Sequence, residues 1–209
     1  HGGSLPSRST GPRGANRAQR VDVNGNLGGG MISITNNSQL SWNPAVANVR
    51  KNEAFLVCWQ QGPTNTGPWD VRAVWVSAEF GTVSNDGAID VGGADATNPT
   101  ASGEASPQHG EALVAWEIGG GDLGVAQIGT AGTGEPQIVS STVLGTTTNN
   151  IGVEPSFSRS GGLIGQHLLV WRELREVLVF TVSSIEGCVF DRDGNQLDSL
   201  RIAQAPVSY

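Results

Sequence analysis

Asn43-Pro44-Ala45-Val46-Ala47 begins a segment that ends at Leu56-Val57-Cys58-Trp59, and this two-part pattern returns twice along the 209-residue chain. The second copy runs from Asn98-Pro99 to Leu113-Val114-Ala115-Trp116, and the third from Glu154-Pro155 to Leu169-Val170-Trp171. The prolines are 55 and 56 residues apart, and the tryptophans 57 and 55. Two independent anchors with one period identify an internal repeat, which is typical of propellers and other arrays.

Each repeat has the signals of four short antiparallel strands. An apolar strand ends at the tryptophan, a variable loop leads to a second strand such as Val71–Val76, and a turn follows. The turns at Asn85–Gly87 and Asp191–Asn195 are rich in Asn, Asp and Gly, for which type I′ hairpin geometry is expected, while the middle unit has a looser turn at Gly132–Pro136. Because proline lacks an N–H, it suits the first position of a strand or the edge of a sheet.

The repeat predicts an all-β fold, a β-propeller or a propeller-like array of four-stranded antiparallel units, with almost no helix. We expect a leader or tag remnant over residues 1–16 and a repeat domain over 17–209. The domain divides into a partial unit at 17–38 and fuller units at 40–93, 95–145 and 150–203. The recurrent tryptophan is expected to be a wedge between neighbouring units. Three full units and a partial one are fewer than the about four to eight blades of a typical propeller. This number predicts a small ring, a ring shared by two chains, or part of a longer protein.

Charge and cysteine content narrow the classes of partner. The net charge of −7 and the scattered basic residues argue against a nucleic-acid partner, because phosphate binding requires a basic stripe. No apolar run reaches the ~18 residues of a membrane span. Cys58 and Cys188 lack the spacing of a metal or redox motif, and a buried free thiol is favoured for Cys58 over a disulfide between the two.

This pattern resembles the propeller-like repeats of large secreted and cell-surface bacterial proteins. The resemblance rests on the x-Pro start with small residues, the aliphatic run ending in Val-x-Trp and the Asp-Gly hairpin, and it covers roughly residues 17 to 203. It implies a secreted or cell-surface bacterial location, in a binding module or beside a catalytic domain. The middle unit departs from the pattern, because it lacks the Asp-Gly turn and its start at Asn98–Ser102 is more polar.

An aromatic loop is the better candidate for a binding site, because the nucleophile-elbow, zinc-protease and phosphate-loop motifs are absent. Trp69 lies in the longest inter-strand loop. Together with Asp70 and Arg72 it offers a ring and charged groups suited to stacking on a sugar. The alternative is that Trp69 covers the end of its own unit.

Two acidic turns and three glutamates are further candidates. In each turn, oxygen-bearing side chains occupy every second position before a glycine, as they do in calcium-binding loops. An ordinary hairpin turn explains the same pattern. Two carboxylates that converge within about 5 to 10 Å in a cleft would favour a glycosidase-like enzyme. The calcium candidates are Asp22, Asn24, Asp191 and Asp193, and the carboxylates are Glu53, Glu117 and Glu173.

The sequence therefore favours a non-catalytic extracellular or cell-surface module. Its expected partner is a glycan or a protein, within a larger assembly that contains further copies of the chain or the remainder of a longer one. The alternative is an accessory fragment of a secreted polysaccharide-active enzyme. No cofactor is expected other than calcium.

Overall fold

One two-stranded hairpin and three four-stranded antiparallel sheets, which we call blades I, II and III, make up the fold. The computed structural model describes residues 15–22, 24–35, 39–84, 87–89, 95–103, 110–119, 121–130, 134–145, 150–158, 165–177 and 180–205. The hairpin contains β1 (Arg17–Val21) and β2 (Leu27–Ser33). Blade I contains β3 (Leu40–Val49), β4 (Ala54–Gly62), β5 (Asp70–Ser77) and β6 (Gly87–Ala88); blade II contains β7 (Ala96–Ser102), β8 (Ala112–Ile118), β9 (Asp122–Thr130) and β10 (Pro136–Leu144); blade III contains β11 (Asn150–Phe157), β12 (His167–Val177), β13 (Phe180–Phe190) and β14 (Gln196–Gln204).

Within each blade, strands that follow one another in sequence are hydrogen-bonded neighbours. This meander confirms the all-β, propeller-like array with a partial first unit. In the described ranges no strand pairing joins one sheet to another, and the only helical segment is a 3₁₀ turn at Arg50–Asn52. Nothing in these ranges forms a helix of the length and hydropathy that a membrane span requires.

The repeated prolines lie on the first strand of each blade, which is an edge strand. The residue before each proline has a positive φ, namely 47° at Asn43, 50° at Asn98 and 57° at Glu154. The ladder shifts register at the same three places, which marks a β-bulge. The prolines were expected at the first position of a strand or at the edge of a sheet. They lie at the edge of the sheet, but inside the strand and at a bulge.

Side chains from facing blades form the cores. Trp116 is 1% exposed between blades I and II, and Trp59 is equally buried between blade I and the hairpin. Both therefore act as the predicted wedges. The core between blades II and III includes Leu113, Leu169 and Phe190.

The two cysteines are free and buried in different cores. Burial raises the pKa of the Cys58 thiol to about 12 and that of the Cys188 thiol to about 11. The sequence left open a disulfide between Cys58 and Cys188 or two free thiols, and in the structure both thiols are free.

The hairpin turn at Asp191–Asn195 differs from the type I′ geometry that its sequence favours. In the turn before Asn195, Gly194 has a φ of 80°, whereas Asp193 stays outside the positive-φ region. A type I′ turn needs two residues with positive φ, so this turn belongs to the kind in which a glycine in the left-handed region follows an ordinary turn. The turn at Asn85–Gly87 lies only partly within the described residues, and its first two positions are outside them.

Candidate functional site

Two tryptophans lie against each other at one end of blade I. The rings of Trp42 and Trp69 meet edge to face, with centroids 6.3 Å apart and an interplanar angle of 70°. The Trp69 ring is half-buried and covers Gly62, because a Cβ on that glycine would lie 2.8 Å from Cε3 of the ring. Trp42 is 48% exposed. Trp69 thus covers the end of its blade, and Trp42 presents aromatic surface to solvent.

The backbone of Trp69 is fixed to the start of blade II. Its N–H donates to Oδ1 of Asp95 at 2.9 Å, and its carbonyl accepts from the N–H of Ala96 at 2.8 Å. This end of blade I is therefore tied to the next blade, which gives the aromatic pair a rigid support.

Three amides adjoin the aromatic pair. Trp42 is opposite Gln60 in the β-ladder, so both side chains leave the same face of blade I. The side-chain amide of Asn43 donates to Oε1 of Gln60 at 3.0 Å and to Oδ1 of Asn98 at 2.6 Å. We call these five residues the aromatic–amide cluster. Its side chains are uncharged hydrogen-bonding groups beside an exposed ring, a combination suited to a neutral ligand with hydroxyl groups.

Asp70 and Arg72 do not join Trp69 in one site. Val71 lies in the core that faces blade II, on the side where Gly62 is covered by the Trp69 ring. Side chains alternate along β5, so Asp70 and Arg72 leave the opposite face. A ligand-binding role for Trp69 stays a prediction, and sequence reasoning missed its neighbour Trp42.

In blades I and II the residue after the wedge tryptophan links its blade to the next. Oε1 of Gln60, the residue after Trp59, accepts the backbone N–H of Asn98 at 3.0 Å. In the same way Oε1 of Glu117, the residue after Trp116, accepts the backbone N–H of Glu154 at 2.6 Å. Both links hold the bulge residue of the following blade in its left-handed conformation.

Replacing Glu117 with leucine is expected to lower the free energy of unfolding by about 1 to 2 kcal/mol, because the N–H of Glu154 loses its acceptor. Replacing it with glutamine should cost much less, since Gln60 makes the same bond in blade I. Urea denaturation of both variants measures the difference. Equal losses would show that the acceptor at this position is not what stabilises the contact.

The three glutamates predicted from the sequence lie in different settings. Glu53 follows the 3₁₀ turn between β3 and β4, at the end of blade I away from the aromatic–amide cluster. Glu117 makes the blade link, and its Oε2 accepts from the hydroxyl of Thr97 at 3.3 Å. Glu173 lines a shallow pocket on blade III with Glu186 and Arg201. The structure therefore does not bring the three predicted carboxylates into one cleft.

The two acidic turns hold their carboxylates in the same way. Oδ1 of Asp22 accepts the N–H groups of Asn24 and Asn26, and its Oδ2 accepts the side-chain amide of Asn26. These hydrogen bonds, that from the Asn26 side chain foremost, lower the pKa of Asp22.

Asp191 repeats the arrangement with Asp193 and Asn195. Burial opposes ionisation of Asp191, but the hydrogen bonds outweigh it and its pKa is lowered. Among the described residues no group of three or more His, Cys, Asp or Glu side chains could hold a metal ion. The carboxylates of both turns accept hydrogen bonds from their own loop, so calcium binding there stays a prediction.

A buried serine–histidine pair joins blades II and III. Oγ of Ser102 lies 2.6 Å from Nδ1 of His167 and 2.6 Å from the carbonyl oxygen of Ser158. The hydroxyl has one proton, so it donates to the carbonyl while the imidazole Nδ1–H donates to the hydroxyl oxygen. Ser102 is fully buried and His167 only 2% exposed, so among the described residues this pair forms a buried connection between the two blades.

No protein-family model matches the chain, and no curated protein matches it. Among solved structures, a variant of exo-β-1,3-galactanase from Phanerochaete chrysosporium with β-1,3-galactotriose is similar, with a TM-score of 0.55 and 12% identity over 86% of this chain. A second variant of that enzyme with the same ligand has a TM-score of 0.46 and 12% identity over 95% of this chain. The chain spans 41% and 42% of the two structures. At this identity the first likeness supports the fold alone.

Proposed function

We propose that the chain is a non-catalytic module of a secreted or cell-surface bacterial protein and that it binds a neutral glycan at the aromatic–amide cluster. The observation behind the proposal is the exposed Trp42 ring, supported from the side by Trp69 and flanked by the exposed amide of Asn43, which the buried Gln60 holds in place. Aromatic faces bury the apolar face of a sugar ring, and amides exchange hydrogen bonds with its hydroxyl groups.

The hydrogen bonds inside the cluster make it preorganised. One oxygen of Gln60 accepts from the bulge residue of its own blade, Asn43, and from that of blade II, Asn98, so ligand binding does not have to order the Asn43 amide first. A rigid site loses little conformational entropy when it binds, which favours affinity. Within the described residues, none of the predicted carboxylates belongs to this cluster, which favours binding at the cluster itself; Glu173 and Glu186 line the separate pocket on blade III.

Calorimetric titration with neutral oligosaccharides tests the proposal, and β-1,3-galactotriose is a suitable first probe because it is the ligand in the structurally similar galactanase. Replacing Trp42 with alanine should weaken binding by about tenfold or more, since the stacking surface is lost. Trp42→Phe should retain part of the affinity because it keeps a ring.

Phe80 provides the control, because it is an exposed aromatic residue in the loop after β5. Phe80→Ala should bind as tightly as the unmodified chain. The proposal fails if no neutral oligosaccharide binds or if Trp42→Ala and Phe80→Ala have equal affinities. Release of shorter sugars during the titration would instead favour the polysaccharide-active enzyme.

A further inference from the structure

Blades I and II each pack against the following blade through apolar side chains. Blade III has equivalent side chains on the face that points away from blade II. Leu56 in blade I and Leu113 in blade II are 0% and 1% exposed beneath the blade that follows. The equivalent residue of blade III is Leu168, because it too lies three residues before the wedge tryptophan, and it is 38% exposed.

The next strand repeats the same comparison. Val71, Leu123 and Ile185 each pair with the residue that follows the wedge tryptophan. The first two are 0% exposed, whereas Ile185 is 37% exposed. Leu200 and Ile202 extend this apolar surface onto β14, since both lie close above Gly187. We call Leu168, Ile185, Leu200 and Ile202 the outer face of blade III.

Arg172 indicates which kind of sheet fits this face. It occupies the position of Gln60 and Glu117, whose oxygens accept the N–H of a following bulge residue. Arginine has only donors, so it cannot accept that N–H. One of its Nη atoms lies 3.4 Å from Oε1 of Glu154, but its buried Nε has no hydrogen-bond partner among the described residues. The outer face therefore suits a sheet that lacks the x-Pro bulge and presents an acceptor.

The N-terminal hairpin is a sheet without the x-Pro bulge. One of its faces covers blade I through Ala18 and Ile32, and its strands contain no proline. The other face presents Leu27 and Met31, which are 64% and 62% exposed. Within one chain the hairpin occupies the position before blade I. Among the described residues, no sheet covers its free face or the outer face of blade III.

We propose that a second copy of this chain docks its hairpin onto the outer face of blade III, head to tail. The contact continues the face-to-face packing that joins the blades within one chain. Because the two surfaces differ, the association is heterologous, and it builds rings if the rotation closes and longer chains if it does not. The glycan site on blade I takes no part in this contact.

Sedimentation velocity at increasing protein concentration tests this contact. The unmodified chain should form dimers and larger species, and Leu200→Lys combined with Ile202→Lys should sediment as a monomer. Val139→Lys combined with Val143→Lys is the matched control, since both valines are exposed on the outermost strand of blade II. The control should associate normally, and circular dichroism checks that all variants fold.

A mixing experiment identifies the partner surface. Leu27→Lys combined with Met31→Lys removes the hairpin face, so this variant should also be monomeric alone. Mixed with the blade III variant, it should form one heterodimer and nothing larger, because a single intact hairpin face then meets a single intact outer face. An unmodified chain that stays monomeric, or a hairpin variant that dimerises alone, would overturn the proposal.

Discussion

Replacing Trp116 with alanine is expected to lower the free energy of unfolding by about 3 to 5 kcal/mol, the usual cost of removing a large side chain from a closely packed core. Trp116 is 1% exposed between blades I and II, and its ring lies on Gly124, where a Cβ would overlap the indole. The loss is large because two sheets, rather than one, pack against the cavity. Urea denaturation followed by circular dichroism measures it.

Trp42 supplies a control with the same change of side chain. It is 48% exposed, so Trp42→Ala should cost about 1 kcal/mol or less. The predicted difference between the two variants follows directly from the assignment of Trp116 as an inter-blade wedge. If both variants lose the same stability, the repeated tryptophan does not hold the blades together.

Acid is expected to weaken the contact between blades II and III through His167. Burial lowers the pKa of this imidazole from 6.5 to about 4, although the nearby charge of Asp191 opposes the shift. Above pH 6.5 the imidazole is neutral in both states. Between pH 6.5 and about 4 the unfolded chain binds a proton that the native chain does not, so stability falls as the pH falls. Below about pH 4 both states bind it and this contribution stops changing.

The expected loss between pH 7 and pH 4 is about 3 kcal/mol greater for the unmodified chain than for His167→Gln, which has no titratable group there. Urea denaturation at several pH values measures both profiles. The pKa values of Asp22 and Asp191 are lowered from the ordinary 3.8, so these carboxylates change stability mainly below that pH, outside this window. Profiles that run parallel for the two proteins would contradict the assignment.

Much of the fold is predictable because strands that are buried on both faces have a simple sequence pattern. A strand between two blades is apolar without alternation, and the recurrent tryptophan sets the period, so four strands per unit follow from the pattern. The bulges do not follow from it. Proline normally favours an extended residue before it, whereas Asn43, Asn98 and Glu154 have positive φ. Hydrogen bonds from a different blade hold Asn98 and Glu154, and no local pattern encodes those.

The candidate site is predictable only in part. Trp69 stands out because it lies in a loop, but the adjacent Asp70 and Arg72 leave the other face of β5, a separation that depends on where the strand begins. Trp42 was not predicted because it lies directly before the Asn43-Pro44 start, where a tryptophan is easily taken as part of the repeat. Its equivalents in the other units are Thr97 and Val153, and this break in the pattern is the signal that could have revealed it.

Nuclear magnetic resonance of the six tryptophan indole N–H groups, recorded during titration with the oligosaccharide that binds best, tests glycan binding at the aromatic–amide cluster most directly. The signals of Trp42 and Trp69 should shift in proportion to occupancy, while those of the buried Trp59 and Trp116 stay in place. Shifts confined to tryptophans outside the cluster, or no shift at saturation, would contradict the proposed site.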